Sequence, residues 1–175
     1  HPWQGAAEAF PLFSPRSRFT DDTVMTVAVA RGLMQAYGQE QACREAFIDA
    51  MHEYGRAYSR AGYGQRFFRW IVTGSREPYN SFGNGSAMRV SPVGWACDSL
   101  EETERYAALS ASVTHDHPEG IKGACATAAA IFLARDGAGR DAIRDYVSFR
   151  YGYDLDRSLA DMAEDAIRAT ATGMM

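Results

Sequence analysis

Proline placement constrains this chain more than any other feature. The six prolines stand at positions 2, 11, 15, 78, 92 and 118, and none follows Pro118. Proline cannot sit inside a helix without losing a hydrogen bond and colliding with the preceding turn. The distribution therefore predicts loop over residues 1–19, helices beyond, and a last third that is almost wholly helical. Apolar periodicity fills in the elements. A first helix starts near Asp21, and Val24, Val27, Ala28, Ala30, Leu33 and Met34 share its inner face up to Tyr37-Gly38, where Gly38 suits a C′ stop. A second is expected over residues 41–58, with Ala42, Ala46, Ile48, Met51 and Tyr54 inward, and a short third over residues 65–72. Residues 74–86, rich in Gly, Ser, Asn and Pro, predict a long structured loop. A helix from Ser86 is expected to run to about Pro92–Trp95. Ser99 followed by Glu102 forms a capping box, and Pro118 suits the first helical position after His117. Gly120 to Ala134 is apolar nearly all round, which predicts a central buried helix. Asp141–Tyr151 and Leu155–Thr170 complete the set. No strand pattern competes, so the expected fold class is all-α, in a single domain over residues 1–175.

With 175 residues, 46% of them apolar and 23% charged, the chain can bury a real core and is too apolar for disorder. Its formal net charge of −4 argues against a nucleic-acid or anionic-membrane partner. The longest apolar run, Ala124 to Ala134, is too short to cross a bilayer, so no membrane partner is expected. Cys43, Cys97 and Cys125 are odd in number and form no CxxC pair, which points to a reducing, cytoplasmic setting. His1-Pro2-Trp3 carries neither a signal peptide nor an initiator Met, so the native start is expected upstream.

Three segments carry chemistry. In Phe19-Thr20-Asp21-Asp22-Thr23, Thr20 can be an N-cap with two carboxylates favoured by the helix dipole. Thr20, Asp21 and Asp22 equally offer three oxygens of the kind Mg²⁺ or Ca²⁺ takes, with adjacent carboxylates about 100° apart on a helix so that each serves its own ion. In Ser81-Phe82-Gly83-Asn84-Gly85-Ser86-Ala87-Met88-Arg89, Gly83 and Gly85 allow unusual φ and close backbone approach. Free N–H groups entering a helix would cradle a phosphate or diphosphate, or the segment is an ordinary turn. It matches neither the P-loop nor the dinucleotide fingerprint. Arg89 suits an anion or a structural carboxylate. In Ser112-Val113-Thr114-His115-Asp116-His117-Pro118-Glu119, no third nitrogen or sulfur ligand accompanies the His pair, which disfavours zinc. His115 is read as a hydrogen-bonding residue, structural or on a substrate hydroxyl, and His117 as part of a helix cap.

Taken together, FTDDTVMTVAVA (Phe19–Ala30), YNSFGNGSAMRVSPVGW (Tyr79–Trp95) and SVTHDHPEGIKGACATAAAIFLA (Ser112–Ala134) resemble the ADP-ribosylglycohydrolase family, the all-helical dinitrogenase-reductase-activating type. The match extends from Phe10 through nearly the whole chain. The resemblance implies an orthogonal multi-helix bundle that cleaves the glycosidic bond between ADP-ribose C1″ and a protein side chain or small acceptor. It implies two Mg²⁺ ions, sometimes Mn²⁺, beside the distal ribose, with Thr20, Asp21 and Asp22 as ligands. Gly83, Asn84, Gly85 and Ser86 would wrap the diphosphate and adjoining ribose, and His115 would contact the substrate there. The expected partner is an ADP-ribosylated protein or a small ADP-ribosyl compound.

The family's second acidic motif, Asp-x-Asp-Thr, has no counterpart after Thr114. Asp154-Leu155-Asp156-Arg157 has the carboxylate spacing without the Thr. Glu8 lies too close to Phe10-Pro11-Leu12-Phe13 to carry the family's acidic catalytic role, and no catalytic residue is assigned. The chain reads as the middle of a glycohydrolase, truncated at both ends. Such a cut would expose part of the central helix and leave room for a homodimer that covers it. The alternative is a non-catalytic ADP-ribose-binding module that lacks the second half of the metal site.

Overall fold

The computed structural model describes residue 15, residues 17–158 and residues 160–164. Glu8, the Phe10–Phe13 segment, most of the expected N-terminal loop and the expected helical end over residues 165–170 lie outside the described residues. Eight helices follow one another: α1 (Asp21–Ala36), α2 (Glu40–Ala57), α3 (Gln65–Thr73), α4 (Gly85–Met88), α5 (Ser91–Ala96), α6 (Leu100–Ser112), α7 (Pro118–Arg135) and α8 (Arg140–Tyr151). A further helical turn covers residues 160–164, and the described residues contain no strand. The all-α expectation holds, because most of the predicted stops and starts are used. Gly38 takes a positive φ just past the end of α1. Ser99 Oγ accepts from Glu102 N–H at 3.2 Å, and His117 caps α7 ahead of Pro118.

The inner faces of α1 and α2 match the expected ones only in part: Val24, Ala28, Leu33, Ile48 and Met51 are inward as expected. Val24, Met25, Ala28, Val29 and Leu33 are buried, whereas Val27 is 44% and Met34 83% exposed. On α2 the inward residues are Cys43, Phe47, Ile48 and Met51, and Ala42 faces out. Burial of larger side chains decides the rotation, since each stabilises by about 1.5–3 kcal/mol when fully removed from water. Gly32 lets the two helices close: a Cβ there would stand 2.6 Å from the Phe47 ring.

The single helix expected from Ser86 to Trp95 is two. Pro92 has no N–H to give to the Met88 carbonyl, so the ladder fails and Arg89 and Val90 turn the chain between α4 and α5. The Met88 carbonyl lies 3.4 Å from the Thr26 hydroxyl of α1. The last expected helix does not start at Leu155, for residues 152–155 run without helical structure. α7 is central as expected: it packs against α4, α5, α6 and α8. Gly94 allows α5 to sit on it, since a Cβ there would meet the Ala128 carbonyl at 2.8 Å.

Candidate functional site

The start of α1 is held by backbone, not by a side-chain cap. Asp21 N–H donates to Ala61 O at 2.9 Å. Thr20 occupies the N-cap position in extended conformation but makes no capping hydrogen bond. Its hydroxyl donates instead to Asp22 Oδ2 at 3.0 Å, which draws hydroxyl and carboxylate together at the helix tip. Burial first, and then the charge of Asp22, raises the pKa of Asp21 above the ordinary aspartate value. The two carboxylates therefore repel.

The glycine loop reaches the same place from the other side. Gly83 and Gly85 do not take positive φ. What glycine supplies here is room. A Cβ on Gly85 would stand 2.9 Å from His115 Nε2, and one on Gly120 would meet Ser81 O at 2.6 Å. The loop is anchored on both flanks. Asn80, with φ 53°, donates its N–H to Asp116 Oδ1 at 2.6 Å, and Tyr79 N–H donates to Thr114 O at 3.4 Å. Ser86 is buried, and its hydroxyl donates to Gly120 O at 2.7 Å, docking α4 on α7. Asn84 and Phe82 are exposed at the rim.

The two histidines separate. His117 accepts from Glu119 N–H at its Nδ1, 3.1 Å away, and does the capping work expected of it. His115 is buried, with Nδ1 2.8 Å from Thr114 Oγ1. Burial, then the charges of Arg89 and Arg66, push its pKa down to about 3, so the ring is neutral at physiological pH. Arg89 is fully buried, and its hydrogen bonds among the described residues go to no carboxylate. One terminal nitrogen, Nη2, donates to Ser110 O at 2.9 Å and to Thr114 Oγ1 at 2.8 Å, while Nε has no partner.

These pieces wall one cavity of about 450 Å³. Asp21 stands on one side, His115, Gly83, Asn84 and Gly85 on another, and Arg66 and Arg89 complete it over an apolar patch from Met25 and Phe67. Asp21, Gly83 to Gly85 and His115 are thus brought together, with Ser86 serving as the loop's anchor, whereas Thr20 and Asp22 are exposed and do not line the cavity. The cavity joins an acidic edge to a basic wall. That suits a ligand bearing both an anion and cation-binding oxygens.

Three oxygens at the α1 tip fit one edge of a hard-cation shell. No group of three or more His, Cys, Asp or Glu side chains arranged for a metal occurs among the described residues. Asp154 and Asp156 are engaged elsewhere: Asp154 Oδ1 accepts from Asp156 N–H at 3.2 Å, and Asp156 pairs with Arg144 at 3.6 Å.

Sequence reasoning missed Arg66 and Tyr79. Arg66 donates to Tyr79 O and lies 5.0 Å over the Tyr79 ring, at the entrance. Its only local signal is a basic residue in the first turn of α3, which by itself marks nothing.

Comparison with known proteins identifies the family. The family model described as ADP-ribosylglycohydrolase matches residues 2–173. The chain is 32% identical over 138 residues to ADP-ribosylhydrolase ARH3 of Mus musculus, covering 68% of this chain and 35% of that protein. The ARH3 proteins of Bos taurus and Homo sapiens are likewise 32% identical over 138 residues, covering 68% of this chain and 36% of theirs. The chain thus spans about a third of the length of the curated relatives it matches.

Proposed function

The chain belongs to the ADP-ribosylglycohydrolase family, and from that footing we propose that it acts as a Mg²⁺-dependent hydrolase on the glycosidic bond of ADP-ribose conjugates, on protein or on small acceptors. One observation carries the reading. Residues as distant in sequence as Asp21, Gly85 and His115 wall a single cavity that is acidic at one edge and basic at the other.

In this reading the diphosphate lies along Gly83-Asn84-Gly85, where the two glycines present no Cβ, and Arg66 at the mouth balances its charge. His115 meets a ligand oxygen beside the loop. Remote binding of the diphosphate fixes the position of C1″, so that affinity far from the bond serves the reacting centre. Thr20, Asp21 and Asp22 would hold Mg²⁺, as two ions or with Mn²⁺ in its place. Bound there, the cations would fix the ribose diol and supply an activated water, leaving the oxocarbenium-like transition state to be stabilised by other groups. The three free cysteines are all buried, which suits a reducing cytoplasmic setting.

A second reading rests on a specific feature: Asp21 is the sole carboxylate among the residues lining the cavity. On that reading the chain binds ADP-ribose without cleaving it. Incubation with ADP-ribosyl-serine and ADP-ribosyl-arginine peptides, with and without Mg²⁺, separates the two. Release of ADP-ribose that needs Mg²⁺ supports the hydrolase. Calorimetric binding of ADP-ribose without release supports the binding module. Neither binding nor release removes both.

A further inference from the structure

The buried Arg89 has a use that the substrate contacts do not absorb. A guanidinium has donors only, so the Thr114 hydroxyl oxygen must accept the 2.8 Å hydrogen bond from Arg89 Nη2. The second hydrogen of that nitrogen goes to Ser110 O at 2.9 Å. Thr114 is 0% exposed, and the other neighbour of its hydroxyl is His115 Nδ1 at 2.8 Å. The hydroxyl has one hydrogen to give. If Nδ1 carried a proton, the hydroxyl would accept twice and its own hydrogen would be buried without an acceptor. Nδ1 must then be the acceptor, and the proton of the neutral ring sits on Nε2. No hydrogen bond among the described residues uses Nε2, and that nitrogen faces the glycine loop, 2.9 Å from where a Gly85 Cβ would be.

We propose that Arg89 and Thr114 form a relay that locks His115 in the Nε2–H tautomer, making the ring a fixed hydrogen-bond donor to a ligand oxygen over Gly85. Arg89 and Thr114 are positioning residues: they act through His115. The relay selects for a hydroxyl, carbonyl or phosphate oxygen at that spot and against a donor such as an amine. Both flanks of the relay are rigid, for Arg89 closes α4 and Thr114 donates its own N–H to Ala111 O at 3.1 Å. The low pKa of the ring, set first by burial and then by Arg89 and Arg66, is consistent with a ring that remains neutral in use. The tautomer stands on hydrogen-bond geometry alone. Its service to ADP-ribose rests on the function proposed above.

The test is nitrogen-15 NMR of the histidine side chains in the ligand-free 175-residue chain, followed by ADP-ribose calorimetry. The His115 signals are assigned by their loss in His115→Gln. The expected wild-type pattern is a protonated Nε2 and a bare Nδ1. Thr114→Ser keeps that pattern and an affinity close to wild type. Thr114→Val mixes or reverses the tautomer and weakens ADP-ribose about tenfold, as loss of one oriented hydrogen bond should. A wild-type ring protonated on Nδ1 overturns the relay, and so does a Thr114→Val protein with an unchanged tautomer. The wild-type spectrum decides the matter even if Thr114→Val does not fold. If the tautomers behave as expected but ADP-ribose binds to none of the proteins, the relay stands and the functional reading fails.

Discussion

Gly83 and Asn84 form a ridge between two cavities, and the pair can be read against each other. On one side lies the cavity of about 450 Å³ with Asp21, Arg66, Arg89 and His115 in its walls. On the other lies a wider hollow of about 770 Å³, walled by Ala126, Ala130 and Ile131 of α7, Ile143 and Val147 of α8, and Leu155. Size alone would favour the second. Chemistry favours the first, because its polar groups arrive from three separate segments. Arg89 and His115 are held by hydrogen bonds to Thr114, and the loop before the glycines is tied to Asp116. The wider hollow is a junction of helices. Its far wall stands because Glu104 on α6 gathers Tyr146, Arg150 and Tyr151 of α8.

The largest expected effect breaks the smaller cavity alone. Gly85→Val puts branched carbon where a bare Cβ already lies 2.9 Å from His115 Nε2 and 3.1 Å from Cε1. ADP-ribose affinity measured by calorimetry should fall by about 100-fold or more, roughly 2.7 kcal/mol. The backbone there does not take a positive φ, so valine adds no backbone strain, but its clash with the buried His115 ring should lower the melting temperature as well. Unaltered affinity would mean that the glycine loop is not the ligand's seat, and the contrast between the cavities would lose its basis.

Next comes the clamp on the other side. Burial opposes ionisation of Glu104, but hydrogen bonds from Tyr151, Tyr146 and Arg150 outweigh it and hold the carboxyl below its ordinary value of 4.5. A depressed carboxylate stabilises the fold above the unfolded pKa and loses that contribution as pH falls through the folded value. Glu104→Gln should therefore cost about 2 kcal/mol in urea unfolding at pH 7. The gap from wild type should close progressively below pH 4.5. ADP-ribose affinity should stay within about twofold of wild type, because the clamp supports the junction and touches no group of the smaller cavity. A gap that persists unchanged into acid would show that Glu104 acts by packing, not charge.

A third change sharpens the smaller cavity from its acidic edge. Asp21→Asn and Asp22→Asn each remove one oxygen charge from the α1 tip while leaving the helix start tied through Asp21 N–H and Ala61 O. Titration with Mg²⁺ or Mn²⁺ should show affinity reduced about tenfold for either variant, with the helical content unchanged. Wild-type metal affinity in both would return Thr20, Asp21 and Asp22 to the role of a helix start.

How much of this was legible beforehand differs between elements for physical reasons. Caps and stops are local, so Ser99, Pro118 and Gly38 marked their boundaries correctly. Helix rotation is not local. α1 and α2 carry alanine on several faces, and only burial of larger side chains such as Met25 and Phe47 in the shared core chooses among them. The motifs at Thr20–Asp22, Gly83–Gly85 and His115 could be read because each concentrates unusual residue types. Of the two reasons for glycine at position 85, close approach holds and unusual φ does not. Nothing near it in sequence reveals that the crowding group is a ring thirty residues onward. Tyr79 opened a quoted motif without being singled out, and Arg66 had only a weak local mark, because its place beside Tyr79 depends on where α3 lands.

The smallest expected effect is the most discriminating for the comparison. Gly123 lies within α7 and faces the wider hollow, where a Cβ would find only Tyr153 Oη at 3.8 Å and Ala87 Cβ at 3.9 Å. Both are ordinary contacts, and the residue is helical, so Gly123→Ala removes backbone freedom from the unfolded chain without strain. The fold should gain about 0.5–1 kcal/mol in urea unfolding. ADP-ribose affinity should not change, because the added methyl lies across the ridge from His115 and Asp21. A rise in stability with unchanged affinity keeps the two cavities functionally separate. A clear loss of affinity, at a position where the methyl meets no steric obstacle, would mean that the ligand crosses the ridge and that α7 contributes to its binding.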